Sequence, residues 1–226
     1  METADAIHGA LAAHVGDSVL LAVLLDHAGP NFSYGASIPE HIPDLCAAML
    51  TGMHRMILAM VDYPLPILVA IRGYCLGGGL ELATAGHVLF AAPDAALGQP
   101  EIKLAVFAPT ASCLLPERIG QARADDLLFS GRTVTGTEAQ TMGLVAHTAP
   151  DPEAAALAYF DEHLAGLSAP ALRCAVRASR MGLSERIREK LTRIEKLYLD
   201  DLMTKQDPVE GLTAFMGKRP PVWKHR

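Results

Sequence analysis

Long hydrophobic runs are missing from this sequence. Its longest uncharged stretch, Leu104 to Pro116, is too short for a helix across a bilayer, which takes ~20 apolar residues. Basic residues are outnumbered: 19 Lys and Arg stand against 25 Asp and Glu, a net charge of −6 and a pI near 5.8. That balance lacks the basic footprint of a general nucleic-acid binder. The first residues, METADAIHGALAAH, hold Glu2 and Asp5 without Arg or Lys, which is neither a secretory signal nor a basic transit peptide. The four cysteines, Cys46, Cys75, Cys113 and Cys174, form no CxxC pair and each has apolar neighbours in sequence. Buried reduced thiols in a cytoplasmic protein are expected. Aromatic residues make up only 5%, against 19 glycines and abundant alanine, a composition suited to close backbone approach. Charge is scarce at 19%, yet 50% of the 226 residues are hydrophobic, which excludes a disordered chain. A chain of this size buries about 70–75% of its unfolded surface and folds without disulfide or metal.

What is present reads as alternating α and β structure. Asp5–Val15 suits a short helix, Val19–Leu25 a buried strand, His27–Ser37 a loop, and Asp44–Val61 a helix ended by Pro64 and Pro66. Ile67–Ile71 and Val88–Ala91 read as buried strands of the parallel type, Leu80–Ala85 as a short helix and Leu144–Thr148 as a further strand. In the last third, Asp151-Pro152 and Asp207-Pro208 pair a capping Asp with Pro at the first helical position. Thr135-Gly-Thr-Glu138 fits a capping box. Ile187, Leu191, Ile194, Tyr198 and Leu202 recur at three- and four-residue intervals, so the chain from about Ser168 onward is expected to be all helical.

The chemistry concentrates in Ile71-Arg-Gly-Tyr-Cys-Leu-Gly-Gly-Gly-Leu-Glu81. A strand runs into three glycines and a helix start, where bare N–H groups and the helix dipole favour negative charge. The ligand there can be a phosphate or an oxyanion developing on a carbonyl. It can also be none, with a tight turn and Glu81 complementing the dipole. A phosphate loop fails because no Lys-Ser or Lys-Thr follows, and the dinucleotide fingerprint fails because position 82 is Leu. Glu101 follows Pro100 in apolar company. Desolvation there would raise its pKa into the range useful for proton transfer, while a solvated loop acid or cap is the plainer reading. The sequence has no GxSxG, and its nine histidines show no HExxH, which leaves hydrolase and metal chemistry without support. His87 reads as a core histidine, and Ser33 and Cys75 lack the local signature of an activated nucleophile.

Three segments together, Phe32-Ser-Tyr-Gly-Ala-Ser, Gly73-Tyr-Cys-Leu-Gly-Gly-Gly-Leu-Glu-Leu-Ala and Gly98-Gln-Pro-Glu-Ile-Lys-Leu, resemble the crotonase, or enoyl-CoA hydratase/isomerase, family. The ending Glu210-Gly-Leu-Thr-Ala-Phe-Met-Gly-Lys resembles it too. The resemblance implies an α/β spiral of ββα turns over residues 1–167 and a helical oligomerisation region over 168–226, assembled as a homotrimer or a dimer of trimers. It implies an acyl-CoA thioester as substrate, with coenzyme A part of that substrate and no separate cofactor, metal, nucleic acid or membrane partner. It gives the N–H groups of Ala36 and Gly78 to the thioester oxygen, and Glu81 and Glu101 the catalytic carboxylates. Ser33, Tyr34, Ser37, Ile38, Gly77, Phe107 and Phe215 would contact substrate, and Lys218 would reach a neighbouring subunit's CoA. With both acids present, a hydratase is expected ahead of an isomerase or a non-catalytic homologue. The glycine-free segment Val106–Pro116 resembles the branch that hydrates cyclic dienoyl thioesters. Members usually carry a β-hairpin ahead of the first helix, and the sequence given shows none.

Overall fold

The computed structural model describes residues 2–41 and 43–226, with only the backbone of Pro43 and Asp44. Helix α1 (Glu2–His14) leads to strand β1 (Val23–Leu25) and the long helix α2 (Pro43–Val61). Then follow β2 (Ile67–Ile71), β3 (Tyr74–Leu76), α3 (Gly78–Ala85), β4 (Val88–Ala91) and β5 (Ala96–Gly98). Helices α4 (Pro109–Ile119) and α5 (Gln121–Ser130), strand β6 (Thr133–Thr135), helix α6 (Gly136–Met142) and strand β7 (His147–Thr148) complete the core. The rest is helical: α7 (Pro152–His163), α8 (Ala169–Ser179), α9 (Leu183–Lys196) and α10 (Gln206–Met216).

Every residue of β2 is buried, which is why its sequence is unbroken Ile, Leu, Val and Ala: helices cover both faces of a parallel strand. Strands β1, β2, β4 and β7 form one parallel sheet, and β3, β5 and β6 form a second. From β2 to β5, successive strands alternate between the sheets. β2 joins the first and β3 the second; β4 pairs with β2 through Val69–Leu89, and β5 with β3 through Cys75–Leu97. Each ββα unit is thus one turn of a spiral, as the resemblance implied. Helix α3 sits between turns, and two largely buried guanidinium groups hold its C-terminal end. Arg118 donates to the carbonyls of Thr84 and Gly86, and Arg180 to those of Ala85 and Gly86. Cations at that end complement the helix dipole and leave the opposite end, at Gly78, facing the site.

Several local expectations need correction. Only Val23–Leu25 of the strand expected from Val19 is extended; Val19 is 80% exposed, and its N–H turns back to Asp17 Oδ1 at 3.0 Å. Strand pairing similarly begins at His147 instead of Leu144, although Leu144 and Val145 are buried. Strands β3, β5 and β6 have three residues each, too few for a period of two to be visible. Asp151 and Thr135 cap α7 and α6 as expected, accepting from the N–H groups of Ala154 and Glu138. Asp207 does not cap α10. It lies inside the helix, and its carboxylate accepts from the backbone N–H groups of Lys224 and His225, pinning the C-terminal arm. Cys46, Cys75 and Cys113 are buried, but Cys174 is exposed. The apolar stripe of α9 packs inside the chain: Ile187 and Leu191 join the main core, and Tyr198 joins a smaller cluster with Cys46, Val106 and Leu212.

Candidate active site

Three contacts explain the three consecutive glycines. Gly77 has φ +54°, and a Cβ there would stand 2.8 Å from Glu101 Oε1. A Cβ on Gly78 would meet the Ala36 nitrogen at 3.1 Å, and one on Gly79 would meet the Ser33 side chain at 2.5 Å. The loop at Ser33–Ser37 and the turn before Glu101 therefore close on the start of α3 from two sides. The loop is fastened by paired backbone bonds, Ser33 N–H to Tyr74 O and Leu76 N–H to Ser33 O, both 2.9 Å. Its own bend is held where Ser33 Oγ accepts from the Gly35 N–H at 3.1 Å. As the first residue of α3, Gly78 has an N–H without an intrahelical acceptor. The Ala36 and Gly78 backbones thus sit side by side beneath a narrow cavity of about 80 Å³.

Both acids line that cavity. Glu81, in the first turn of α3, is 6% exposed and accepts from the Ala111 N–H at 2.8 Å. Burial pushes it up to about 7, against the lowering pull of the N–H groups of Ala111 and Thr110. Glu101 lies in a 3-10 turn, Pro100–Leu104, opened by the proline. Burial, reinforced by the Glu81 charge, pushes it up to about 8. Two shielded carboxyls that feel one another titrate as a pair, the charge on one disfavouring the charge on the other. Buried Gln99 suits a role in orienting the second acid: with its amide turned so that the nitrogen faces the acid, that nitrogen donates to the Glu101 oxygens at 3.0 Å and to the Gly77 carbonyl at 3.3 Å.

The cavity gathers most of the residues singled out in the sequence. Tyr34, Ala36, Ile38, Gly77, Gly78, Glu81, Glu101 and Phe107 line it. Ser33 and Ser37 line an adjoining cavity of about 350 Å³ under α1, which shares Gly35, Ala36 and Gly78 with the first. Phe215 and Lys218 line neither; Phe215 is 57% exposed at the end of α10, and Lys218 is also exposed. Of the basic residues near it, Arg219 is committed to Glu210. His87 is half-buried and only partly satisfied: its Nδ1 accepts from the Ile67 N–H at 3.0 Å, its Nε2 has no partner among the described residues, and burial with Arg180 and Arg118 pushes its pKa down to about 3, which keeps it neutral. Sequence reasoning missed His41, His54, Gln99 and Tyr198. Gln99 adjoins Glu101 and was within reach of its motif. His54 and Tyr198 come from α2 and the turn after α9, and no local pattern marks either.

The backbone of a helix start at Gly78 and that of the adjoining loop at Ala36, lining one cavity with two shielded carboxyls, define a site that can polarise a carbonyl and move a proton beside it. The profile of the enoyl-CoA hydratase/isomerase family matches residues 1–226, and the chain belongs to that family. Among curated relatives it is 58% identical over 221 residues to the cyclohexa-1,5-dienecarbonyl-CoA hydratase of Thauera aromatica, covering 98% of this chain and 86% of that one. A probable enoyl-CoA hydratase of Rhizobium meliloti is 33% identical over 227 residues, covering 97% and 86%. Among solved structures, an enoyl-CoA hydratase/isomerase from Pseudoalteromonas atlantica superposes with a TM-score of 0.86 at 26% identity, covering 98% and 89%. No helix among the described residues is long and apolar enough to cross a membrane.

Proposed function

We propose that this chain is an acyl-CoA hydratase, a hydro-lyase that adds water across a conjugated double bond of a CoA thioester. The observation that carries this reading is the pair of shielded carboxyls sharing one cavity with the start of α3. The thioester oxygen lies between the N–H groups of Ala36 and Gly78, which stabilise the enolate-like charge that develops during addition. Glu81 holds and deprotonates the attacking water, while Glu101 exchanges a proton with the carbon skeleton. The hydroxide oxygen bonds to the electrophilic carbon, the π electrons move toward the thioester, and a proton returns to carbon. Tyr34, Ile38, Gly77 and Phe107 enclose the thioester and acyl group, and the Ser33–Ile38 loop carries the rest of CoA.

Cyclohexa-1,5-diene-1-carbonyl-CoA is the acyl substrate we assign, supported by the 58% identity to a relative of that name. Coenzyme A enters as part of the substrate. The protein acts as a cytoplasmic homotrimer or dimer of trimers. The C-terminal arm supports this by exposing Phe215, Met216, Val222 and Trp223, an apolar face suited to a partner subunit. Lys218 then serves a neighbouring CoA. The test is an absorbance assay for loss of the conjugated thioester, with the cyclic dienoyl-CoA beside crotonyl-CoA. Turnover with preference for the cyclic substrate is expected. Preference for crotonyl-CoA would overturn the acyl assignment, and turnover of neither would overturn the hydratase reading.

A further inference from the structure

Two buried polar atoms on the wall of this cavity have no hydrogen-bond partner among the described residues. His54, on α2, is 5% exposed, and Tyr198, just beyond α9, is 1% exposed; both line the cavity that holds Glu81 and Glu101. His54 Nε2 and the Tyr198 hydroxyl are each buried without a hydrogen bond. Leaving such a group unpaired forfeits the hydrogen bond it had with water, and buried polar atoms are satisfied in the great majority of cases. Orphans on the wall of a ligand cavity are groups waiting for a ligand.

Their chemistry says which one. His54 Nδ1 lies 2.7 Å from Glu195 Oε2, across 141 residues of sequence. A carboxylate only accepts, so Nδ1 carries the proton, and in the neutral ring Nε2 offers a lone pair. Burial favours that neutral ring over the opposing pull of Glu195. Tyr198 is held protonated by burial and by the charges of Cys46, Glu101 and Glu81, so its hydroxyl is available as a donor. The ring itself is fixed edge-on to Phe107, with centroids 5.1 Å apart. The segment that carries it, Leu197–Asp201, is a π-helical turn directly after α9, a distortion that recurs at functional sites. One acceptor and one donor complement an alcohol, which is both. A ketone would satisfy only the tyrosine, and a hydrocarbon neither.

We propose that His54 Nε2 and the Tyr198 hydroxyl are the acyl-recognition pair of this cavity and hold a hydroxyl group on the acyl moiety, His54 accepting from it and Tyr198 donating to it. The proposal rests on the hydratase reading, since hydration is what places an alcohol there. In that setting the pair favours the hydrated acyl-CoA over its unsaturated and saturated counterparts.

The test compares wild type, Tyr198→Phe and His54→Asn. The phenylalanine removes only the hydroxyl, and the asparagine keeps an N–H toward Glu195 while removing Nε2. Calorimetric titration would use three CoA thioesters of one carbon skeleton: hydroxylated, keto and fully saturated. Each variant is expected to weaken the hydroxylated ligand by about 3–10-fold, the effect of one lost neutral hydrogen bond, and to leave the saturated ligand within about 2-fold. Tyr198→Phe alone should weaken the keto ligand. Equal losses for all three ligands, or no loss for the hydroxylated one, would overturn the assignment and leave the pair a structural or water-holding feature. If His54→Asn fails to fold, Tyr198→Phe alone decides by the same criterion. Wild-type turnover on the same preparation tests the hydratase reading separately.

Discussion

The two walls of the cavity are built by opposite means. One wall, Gly77, Gly78, Glu81 and Glu101, comes from 25 consecutive residues in which strand, turn and helix follow one another. There the chemistry is written in local rules: glycines where a Cβ would strike Glu101 or the Ala36 nitrogen, a proline opening the turn, an acid in a first helical turn. The other wall, His54 and Tyr198, joins α2 to the end of α9 through the His54–Glu195 pair. Nothing near either residue in sequence predicts the other. On the proposed reading, the first wall carries the groups that act on the thioester oxygen, the water and the double bond, and the second faces what differs between acyl groups. On that reading, reaction type is locally encoded and acyl selectivity depends on long-range packing.

Substitutions can break this division. The largest effect belongs to the first wall: Glu81→Gln and Glu101→Gln should each lower kcat by about 10²–10⁴-fold, the usual cost of losing acid–base catalysis, as read by steady-state absorbance. Gly77→Ala should follow. Its side chain meets Glu101 Oε1 at 2.8 Å in a left-handed backbone conformation, so kcat should fall by about 10–100-fold through misplacement of the acid. Stability should drop by about 1–3 kcal/mol in chemical denaturation. A Gly77→Ala enzyme with unchanged kcat would show that the glycine contact does not position Glu101.

The acids also predict a pH effect on stability. Both folded values lie above the unfolded glutamate value of about 4.3, Glu81 at about 7 and Glu101 at about 8. The folded state therefore holds protons that the unfolded state has released. This contribution is fully present below pH about 4.3 and is lost as pH rises through 7 to 8. The melting temperature of Glu101→Gln, compared with wild type from pH 5 to 9, should decline less on the alkaline side. Parallel curves would mean that the carboxyls are better solvated than their burial indicates. The smallest effect is expected from a residue on neither wall. Lys218→Ala should raise KM for CoA thioesters by about 2–5-fold at low salt with kcat unchanged, a difference that added salt removes. A fall in kcat instead would place Lys218 in the chemistry.

How much was legible follows the same line. The α/β alternation could be read because β2 is a continuous apolar run and α3 begins at a glycine turn, both local signals; the ββα spiral itself came only through the family resemblance. The helix caps at Asp151 and Thr135 were legible for the same reason. Asp207 misled because its carboxylate is taken by the backbone of residues 224 and 225, a tertiary demand that overrides its capping preference. Strands of three residues show no period, so β3 and β5 surfaced only once their neighbours were in place. Glu81 and Glu101 could be proposed as partners from sequence, twenty residues apart, but their mutual influence required the fold. His54 gave no warning at all: on α2 it is one polar residue among methionines, and its meaning depends on a glutamate 141 residues away.

The central claim is that the buried pair Glu81 and Glu101 performs the acid–base steps of the hydration. The most direct measurement is the pH profile of kcat/KM for the cyclic dienoyl-CoA, in wild type and Glu101→Gln, between pH 5 and 10. A bell with limbs set by the coupled pair is predicted for wild type, with one limb lost in the variant along with most of the rate. A flat profile, or the same bell at the same height in both proteins, would contradict it.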